Sequence, residues 1–98
     1  MVQIKWTLLA KEDLKNITEY ISNDSVKYAK LQVIRIKNRT KILQTHIRIG
    51  KVVSEIGNSN IRELEEGNYR IIYRIVSKNQ VDILTIHHTA RNLKRRSV

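Results

Sequence analysis

The stretch IRELEEGNYRIIYRIV (61–76), followed by SKNQ (77–80) and VDILTIHHTAR (81–91), decides the fold of this chain. From position 69 to 76 the side chains follow the two-residue period of a β-strand. One face receives Tyr69, Ile71, Tyr73 and Ile75, and the other receives Arg70, Ile72, Arg74 and Val76. Because both faces carry apolar side chains, we predict that this strand is central in its sheet. Glu66-Gly67-Asn68 can supply the positive φ of a tight hairpin turn, so the whole stretch predicts a meander of strands.

The last strand continues the same alternation in the sequence. One of its faces is predicted to hold Val81, Ile83 and Thr85, and the other Asp82, Leu84 and Ile86. The adjacent His87 and His88 should then point to opposite faces of the sheet. Two neighbouring ligands on opposite faces cannot easily share a metal ion, and His46 is the only other histidine, so we predict neither a metal site nor a cofactor.

Two helices are predicted before the meander. A short strand at Met1 to Trp6 precedes Thr7, a plausible helix cap, and an amphipathic helix that extends to about Ile21. A polar break at 22–25 can cap a second helix, which we predict to extend to about Thr45. Its apolar seam comprises Val26, Ala29, Val33, Ile36, Thr40 and Leu43. A short strand is expected at 52–53.

These elements predict an α+β fold in which an N-terminal strand and a two-helix hairpin pack on a small antiparallel sheet. At 98 residues the chain is expected to form a single domain over residues 1–98. TARNLKRRSV (89–98) is predicted to be a short basic tail or helix that extends the positive face. The chain has no cysteine and no apolar segment long enough to span a membrane, which favours a reducing cytoplasmic setting with no membrane partner.

The charge distribution predicts a polyanionic or acidic partner. The formal net charge is +10, and no acidic residue lies between Asp24 and Glu55. The second predicted helix carries the basic residues Lys27, Lys30, Arg35, Lys37, Arg39 and Lys41. Such a helix face either is simply solvated or meets an acidic partner.

The arginines of the meander allow two interpretations. Arg62, Arg70 and Arg74 can line an anion-binding face, or Arg62 and Arg74 can pair with carboxylates on neighbouring strands. Arg70 is the best functional candidate because it lies in mid-sheet between aromatic neighbours. His88 is a candidate proton-transfer group near neutral pH, although a packed structural histidine explains it equally well.

The chain resembles the RelE/ParE superfamily of toxins from type II toxin–antitoxin systems. The resemblance covers nearly the whole chain and rests on the order of LLAKEDLKNITEYI, DSVKYA, IGKVVSEIGNSNIREL, GNYRIIYRI and VDILTIHHTARNL. It implies a helical hairpin against an antiparallel sheet, a hetero-oligomer with an acidic antitoxin, and growth arrest by the free toxin. The basic side chains Lys30, Arg35, Lys37 and Lys41 are the candidates for binding the antitoxin.

The superfamily implies two activities, between which the motifs favour one. RelE-like members cut mRNA on the ribosome without a metal, whereas ParE-like members poison DNA gyrase. Arg70, His88 and Arg91 are the catalytic candidates for the first activity, but Ile61 and Glu63 replace expected lysines, and Leu93 replaces an expected tyrosine. IREL, HHTARNL and DSVKYA resemble ParE, so we favour a gyrase poison that acts by binding.

The target-binding candidates are Arg62, Arg70, Arg74, Arg91, Lys94, Arg95 and Arg96. A plain nucleic-acid-binding module is the third hypothesis, with affinity that falls steeply with salt.

Overall fold

A computed structural model describes residues 1–90 of the chain, and the predicted basic tail or helix lies outside these residues apart from its first two positions. The elements in chain order are β1 (Gln3–Trp6), α1 (Leu8–Ser22), α2 (Val26–Thr40), a 3₁₀ helix (Lys41–Gln44), β2 (Lys51–Val52), β3 (Ile61–Glu66), β4 (Tyr69–Ser77) and β5 (Gln80–His88). The predicted strand, helical hairpin and meander are confirmed in order. No helix within the described part of the chain is long and apolar enough to cross a membrane.

The five strands form one sheet in the order β1-β5-β4-β3-β2. As predicted, β4 lies at the centre. The prediction of an antiparallel sheet was wrong for one pair, because β1 runs parallel to β5, with Gln3 opposite Gln80 and Trp6 opposite Ile83. A parallel pair needs a long crossover, which here is the whole chain from α1 to β4. No local sequence signal marks such a distant pairing.

Side-chain caps fix the start of both helices. The Thr7 hydroxyl oxygen accepts from the Ala10 amide at 3.2 Å, and the same hydroxyl donates to the Ile83 carbonyl at 2.8 Å. The Ser25 hydroxyl accepts from the Tyr28 amide at 3.1 Å. Each cap satisfies one of the amides that a helix start leaves free, and both match the predicted helix starts. Thr7 also anchors the start of α1 to β5.

The predicted end of the second helix was several residues too late. Regular α-helix ends at Thr40, and residues 41–44 continue as a 3₁₀ turn. This tighter turn keeps Leu43 fully buried, so the apolar pattern persists after the α-helix has ended. Val26 was wrongly assigned to the buried seam. It occupies the first turn of α2 and is 57 % exposed.

The main core lies between the helices and one face of the sheet, which we call the inner face. It joins Ala10, Leu14 and Ile17 of α1 with Ile36 and Leu43 and with the inner-face residues Tyr69, Ile71, Tyr73, Ile75, Val81, Ile83 and Ile86. On the opposite or outer face, Val53 and Ile72 form a second small cluster with Ile56, Ile61 and Leu84. The segment 53–60 therefore covers part of the outer face.

A β-bulge in β5 overturns part of the predicted alternation. Tyr73 is opposite Ile83, but Ile72 is opposite Thr85, so Leu84 is an extra residue in β5. Beyond the bulge the faces exchange, and Ile86 joins the inner core with Val81 and Ile83. The exchange also determines which face of the sheet each histidine occupies. His87 is paired with Arg70, and His88 is paired with Tyr69.

Candidate functional site

Arg70 is the centre of an ion-pair cluster on the outer face. Its guanidinium binds Glu55 with both nitrogens, Nη1 to Oε2 at 2.6 Å and Nη2 to Oε1 at 2.9 Å. Nε donates to Glu63 at 2.8 Å, and Nη2 contacts the same oxygen. The side chains of Arg70 and Glu63 are only 12 % and 4 % exposed, so the pairs lie largely out of water. Lys51 Nζ approaches Glu63 at 3.4 Å and Glu65 at 3.6 Å.

The fold brings these carboxylates together from two different elements. Glu63 lies on β3, the neighbour of β4, two positions from Glu65, which is opposite Arg70. Glu55 comes from the segment after β2. Val53 anchors this segment, because its side chain is fully buried. The Gly57 amide donates to the Val53 carbonyl at 2.9 Å, and Gly57 takes a φ of 71°, which closes the turn that carries Glu55.

The cluster stabilises the ionised forms of Glu55 and Arg70. The hydrogen bonds from Arg70 lower the pKa of Glu55 from 4.5 to about 2. The same hydrogen bonds, which Arg70 donates to Glu55, raise the pKa of Arg70 more than its partial burial lowers it. The guanidinium of Arg70 is thus already bound by two carboxylates. An incoming phosphate would have to displace one of them.

Lowering the pH should weaken this cluster. The pKa of Glu55 is lower in the folded state than in the unfolded state, so its stabilisation is complete above pH 4.5 and is lost as the pH falls towards 2. Because this carboxylate is partly exposed and screened by solvent, we expect about 1–2 kcal/mol of the free energy of unfolding to be lost from this group between pH 6 and pH 3. Urea unfolding at pH 6 and pH 3 measures it. Glu55→Gln should show a correspondingly smaller pH dependence, and an unchanged pH dependence would contradict the assignment.

His88 lies on the inner side of the sheet, opposite to Arg70. Its ring packs edge-to-face on Tyr69 with centroids 5.4 Å apart, and its Nδ1 accepts from the Ala90 amide at 3.1 Å. His87, rather than His88, is the cross-strand neighbour of Arg70, and it is 1 % exposed. The sheet therefore separates two of the three catalytic candidates. The third, Arg91, lies outside the described residues, as do Lys94, Arg95 and Arg96.

The other two sheet arginines differ from each other. Arg62 donates through Nε to the Ser59 carbonyl at 2.9 Å and through Nη1 to the Gly50 carbonyl at 3.0 Å, so it ties two loops to β3. Arg74 is exposed, and Asp82 is its cross-strand neighbour on β5. Among residues 1–90, no group of three histidine or acidic side chains is placed to hold a metal ion.

A groove of about 640 Å³ lies between α1, α2 and the edge strand β1. Apolar side chains of Ile4, Trp6, Leu14 and Val33 line it. Four lysines also line this groove, namely Lys11, Lys15, Lys37 and Lys41, and all four are exposed. We call it the lysine groove. Among residues 1–90, no carboxylate lines this groove, so its apolar surface is bordered there by positive charge.

The lysine groove contains half of the predicted antitoxin-binding set. Lys37 and Lys41 line it, whereas Lys30 and Arg35 are exposed on α2 but do not belong to the lining. Lys11 and Lys15 of α1 were not among the predicted residues. The two lysines are four positions apart, so the sequence already places them on one flank of α1. Only the packing of the two helices shows that this flank faces a groove.

Comparisons with known proteins agree with this architecture. Residues 4–93 match the family model of the ParE toxin of the type II toxin–antitoxin system parDE. A chain of the chromosomal ParDE toxin–antitoxin system from P. aeruginosa superposes with a TM-score of 0.73 at 27 % identity, covering 90 % of this chain and 96 % of that one.

A second solved structure shares the fold. A chain of the RelBE2 toxin–antitoxin complex from Mycobacterium tuberculosis gives a TM-score of 0.56 at 23 % identity, covering 89 % of this chain and 96 % of that one. A search of curated proteins finds no significant match. Since the family model spans most of the sequence, the chain belongs to the ParE toxin family and is the toxin component of a type II toxin–antitoxin system.

Proposed function

We propose that this toxin arrests growth by binding and poisoning DNA gyrase, without catalysing a reaction of its own. The observation that carries the proposal is the set of contacts that Arg70 makes. Its guanidinium is bound by Glu55 and Glu63, and His88 lies on the opposite face of the sheet. Membership of the ParE family supports the same target.

Metal-free RNA cleavage requires two groups at one phosphodiester, and this arrangement keeps the candidates for them apart. A proton-transfer group must reach the 2′-hydroxyl while a nearby cation stabilises the charge that develops on the phosphate. Arg70 and His88 cannot act on one phosphodiester from opposite faces of a sheet. Glu55 and Glu63 also place negative charge where an RNA phosphate would approach Arg70. Ribosome-dependent cleavage is therefore the second candidate rather than the first.

Paired assays of the purified toxin distinguish the two activities. With gyrase, supercoiled plasmid and ATP, we expect linear DNA to accumulate in proportion to the toxin. With ribosomes and a translated message, we expect the message to remain intact. Ribosome-dependent cuts that disappear in His88→Ala or Arg91→Ala, with no linear DNA, would overturn the proposal. Expression without the antitoxin should likewise induce DNA double-strand breaks and the SOS response.

We further propose that the lysine groove binds the antitoxin. The solved relatives are chains from toxin–antitoxin systems, which supports such a partner for this toxin. An amphipathic helix with acidic side chains on both flanks can bury its apolar face against Trp6 and Leu14 and pair with the lysines on the two borders. Charge complementarity of this kind mainly speeds association.

Charge reversal in the groove should weaken the complex. For the double variant Lys37→Glu, Lys41→Glu we expect antitoxin affinity to fall on the order of 10–100-fold at low salt, mainly through slower association. Trp6 is the only tryptophan and lines the groove, so its fluorescence reports binding directly. Lys27→Glu, Lys78→Glu is the matched control, because it alters the net charge equally at exposed positions outside the groove. Equal losses in the two variants would contradict the placement.

A further inference from the structure

A short loop, residues 46–50, lies between the 3₁₀ helix and β2 and is fixed at both ends by one buried side chain. We call it the 46–50 loop. The Tyr73 hydroxyl donates to the Ile47 carbonyl at 2.8 Å and accepts from the Gly50 amide at 3.0 Å. Because the Tyr73 side chain is fully buried, these two hydrogen bonds attach both ends of the loop to the central strand β4.

Further hydrogen bonds fix the part of the loop between these ends. The Arg62 guanidinium donates through Nη1 to the Gly50 carbonyl at 3.0 Å and to the Arg48 carbonyl at 3.4 Å. The Ile49 amide donates to the His46 carbonyl at 3.3 Å. Loops are usually more mobile than the elements that they join, whereas this backbone is anchored from both β3 and β4. The loop therefore presents its side chains from a fixed backbone.

The 46–50 loop presents a cation and an aliphatic side chain to solvent at its tip. Ile47 packs against the main core, but Arg48 is exposed and the Ile49 side chain is 51 % exposed. A single exposed aliphatic side chain is common on protein surfaces and does not by itself indicate a site. Here it lies next to an arginine on a backbone that has already lost its conformational freedom. Such a preorganised pair suits a protein contact, because binding then costs little further ordering.

The tip of the loop and the lysine groove lie at opposite edges of the sheet. Gly50 leads directly into β2, and Arg62, which holds the tip, belongs to β3. The lysine groove instead borders β1, at the other end of the strand order β1-β5-β4-β3-β2. An antitoxin segment in the lysine groove therefore leaves the tip available to a second partner.

The side chains at the tip define the partner that it fits. The sequence contains no acidic residue between Asp24 and Glu55, so the loop belongs to a stretch with only basic charges. Arg48 can pair with a carboxylate, while Ile49 gains from burial in an apolar pocket. The phosphates of a nucleic acid could bind Arg48, but they offer no such pocket to Ile49. A protein surface with an apolar pocket bordered by carboxylates satisfies both side chains.

We propose that the tip of the 46–50 loop is the contact site of the toxin for gyrase. Ile49 enters an apolar pocket of the target, and Arg48 pairs with carboxylates at the rim of that pocket. Tyr73 and Arg62 are positioning residues, which act through the backbone of the loop. This inference rests on the proposed gyrase poisoning and adds the surface that carries it.

Three variants of the full chain test the assignment. The test variant is Arg48→Ala, Ile49→Ser. The control is Val76→Ser, Lys78→Ala, which removes one exposed cation and one aliphatic side chain of similar exposure, 49 %, near the end of β4. The third variant, Tyr73→Phe, keeps both tip side chains but removes the two hydrogen bonds that fix the ends of the loop. Affinity for immobilised gyrase is measured for each, and antitoxin affinity is measured by tryptophan fluorescence.

We expect the test variant to bind gyrase on the order of 10–100-fold more weakly than the wild type and the control. Linear DNA should decrease with it, and antitoxin affinity should stay unchanged. Tyr73→Phe should weaken gyrase binding by a smaller factor, about three- to tenfold, because the loop must then be ordered on binding. Thermal unfolding checks that each variant is folded at the assay temperature.

The possible outcomes separate this inference from the proposed function. A wild-type toxin that neither binds nor poisons gyrase would overturn both. If the wild type poisons gyrase and the test variant binds as tightly as the control, only the assignment of the loop is overturned. Equal losses of gyrase and antitoxin affinity would also overturn it, because the loop would then belong to the antitoxin site. Full gyrase affinity of folded Tyr73→Phe would overturn the positioning role of Tyr73.

Discussion

Replacing Arg70 with methionine is expected to lower the free energy of unfolding by about 3–5 kcal/mol. The substitution leaves Glu63, whose side chain is 4 % exposed, without its main cation, and it removes the bidentate partner of Glu55. Removing one partner of a buried ion pair costs more than the pair contributes, because the remaining charge stays poorly solvated. A domain of this size is stable by only about 5–15 kcal/mol, so the variant should be close to unfolding at 37 °C. Urea unfolding followed by circular dichroism provides the measurement.

Two further variants separate this explanation from a simple loss of packing. Arg70→Met combined with Glu55→Gln and Glu63→Gln removes the uncompensated charges, and most of the lost stability should return. Arg70→Lys keeps the charge but cannot bind both oxygens of Glu55, so its loss should be intermediate. A loss below about 1 kcal/mol for Arg70→Met would show that the cluster behaves like an exposed surface pair.

Gly50→Ala is the second substitution from which a large effect is expected. A Cβ at this position would lie 2.6 Å from the Glu63 carbonyl oxygen and 2.7 Å from both Cε1 and Oη of Tyr73. The carbonyl belongs to the sheet, and the Tyr73 ring is fully buried and held by two hydrogen bonds. Its hydroxyl accepts from the Gly50 amide at 3.0 Å and donates to the Ile47 carbonyl at 2.8 Å. Neither neighbour can move freely, so we expect a loss of about 3 kcal/mol from overpacking together with weakened hydrogen bonds.

Gly57→Ala is the natural control for this prediction. Gly57 takes a positive φ of 71°, but a Cβ there would meet no atom within 4 Å. The cost should be the backbone strain alone, about 1–2 kcal/mol. Thermal unfolding of both variants makes the comparison. If Gly57→Ala proved as damaging as Gly50→Ala, the close approach of Tyr73 to Gly50 would not be the controlling contact.

Much of the fold was predictable because it depends on local patterns. The period of two in β4 and the caps at Thr7 and Ser25 depend on neighbouring residues, and the structure confirms them. The bulge at Leu84 was not predicted, because nothing in the sequence around Thr85 and Ile86 marks an extra residue. Both residues donate hydrogen bonds to the carboxylate of Asp13 on α1, which lies 72 and 73 positions away in the sequence.

The candidate site was less predictable, since it depends on the meeting of distant segments. Arg70 was identified from its place on a central strand, but its binding partner Glu55 lies in a loop for which the sequence predicted no contact. Arg70 and His88 were both catalytic candidates in the sequence, but the bulge in β5 places His88 on the face opposite to Arg70. The lysines of α1 became candidates only when the helices were seen to border a common groove.

The parallel pairing of β1 with β5 has a consequence for synthesis of the toxin. Gln3 is opposite Gln80, so the first strand has no partner until almost all of the described chain has left the ribosome. Contacts between such distant positions form late and make folding slow. A nascent chain that stops before Gln80 also lacks the strand to which Thr7 anchors α1. We expect such fragments to be unfolded and harmless, so that the cell making this toxin is exposed to it only once translation is nearly complete.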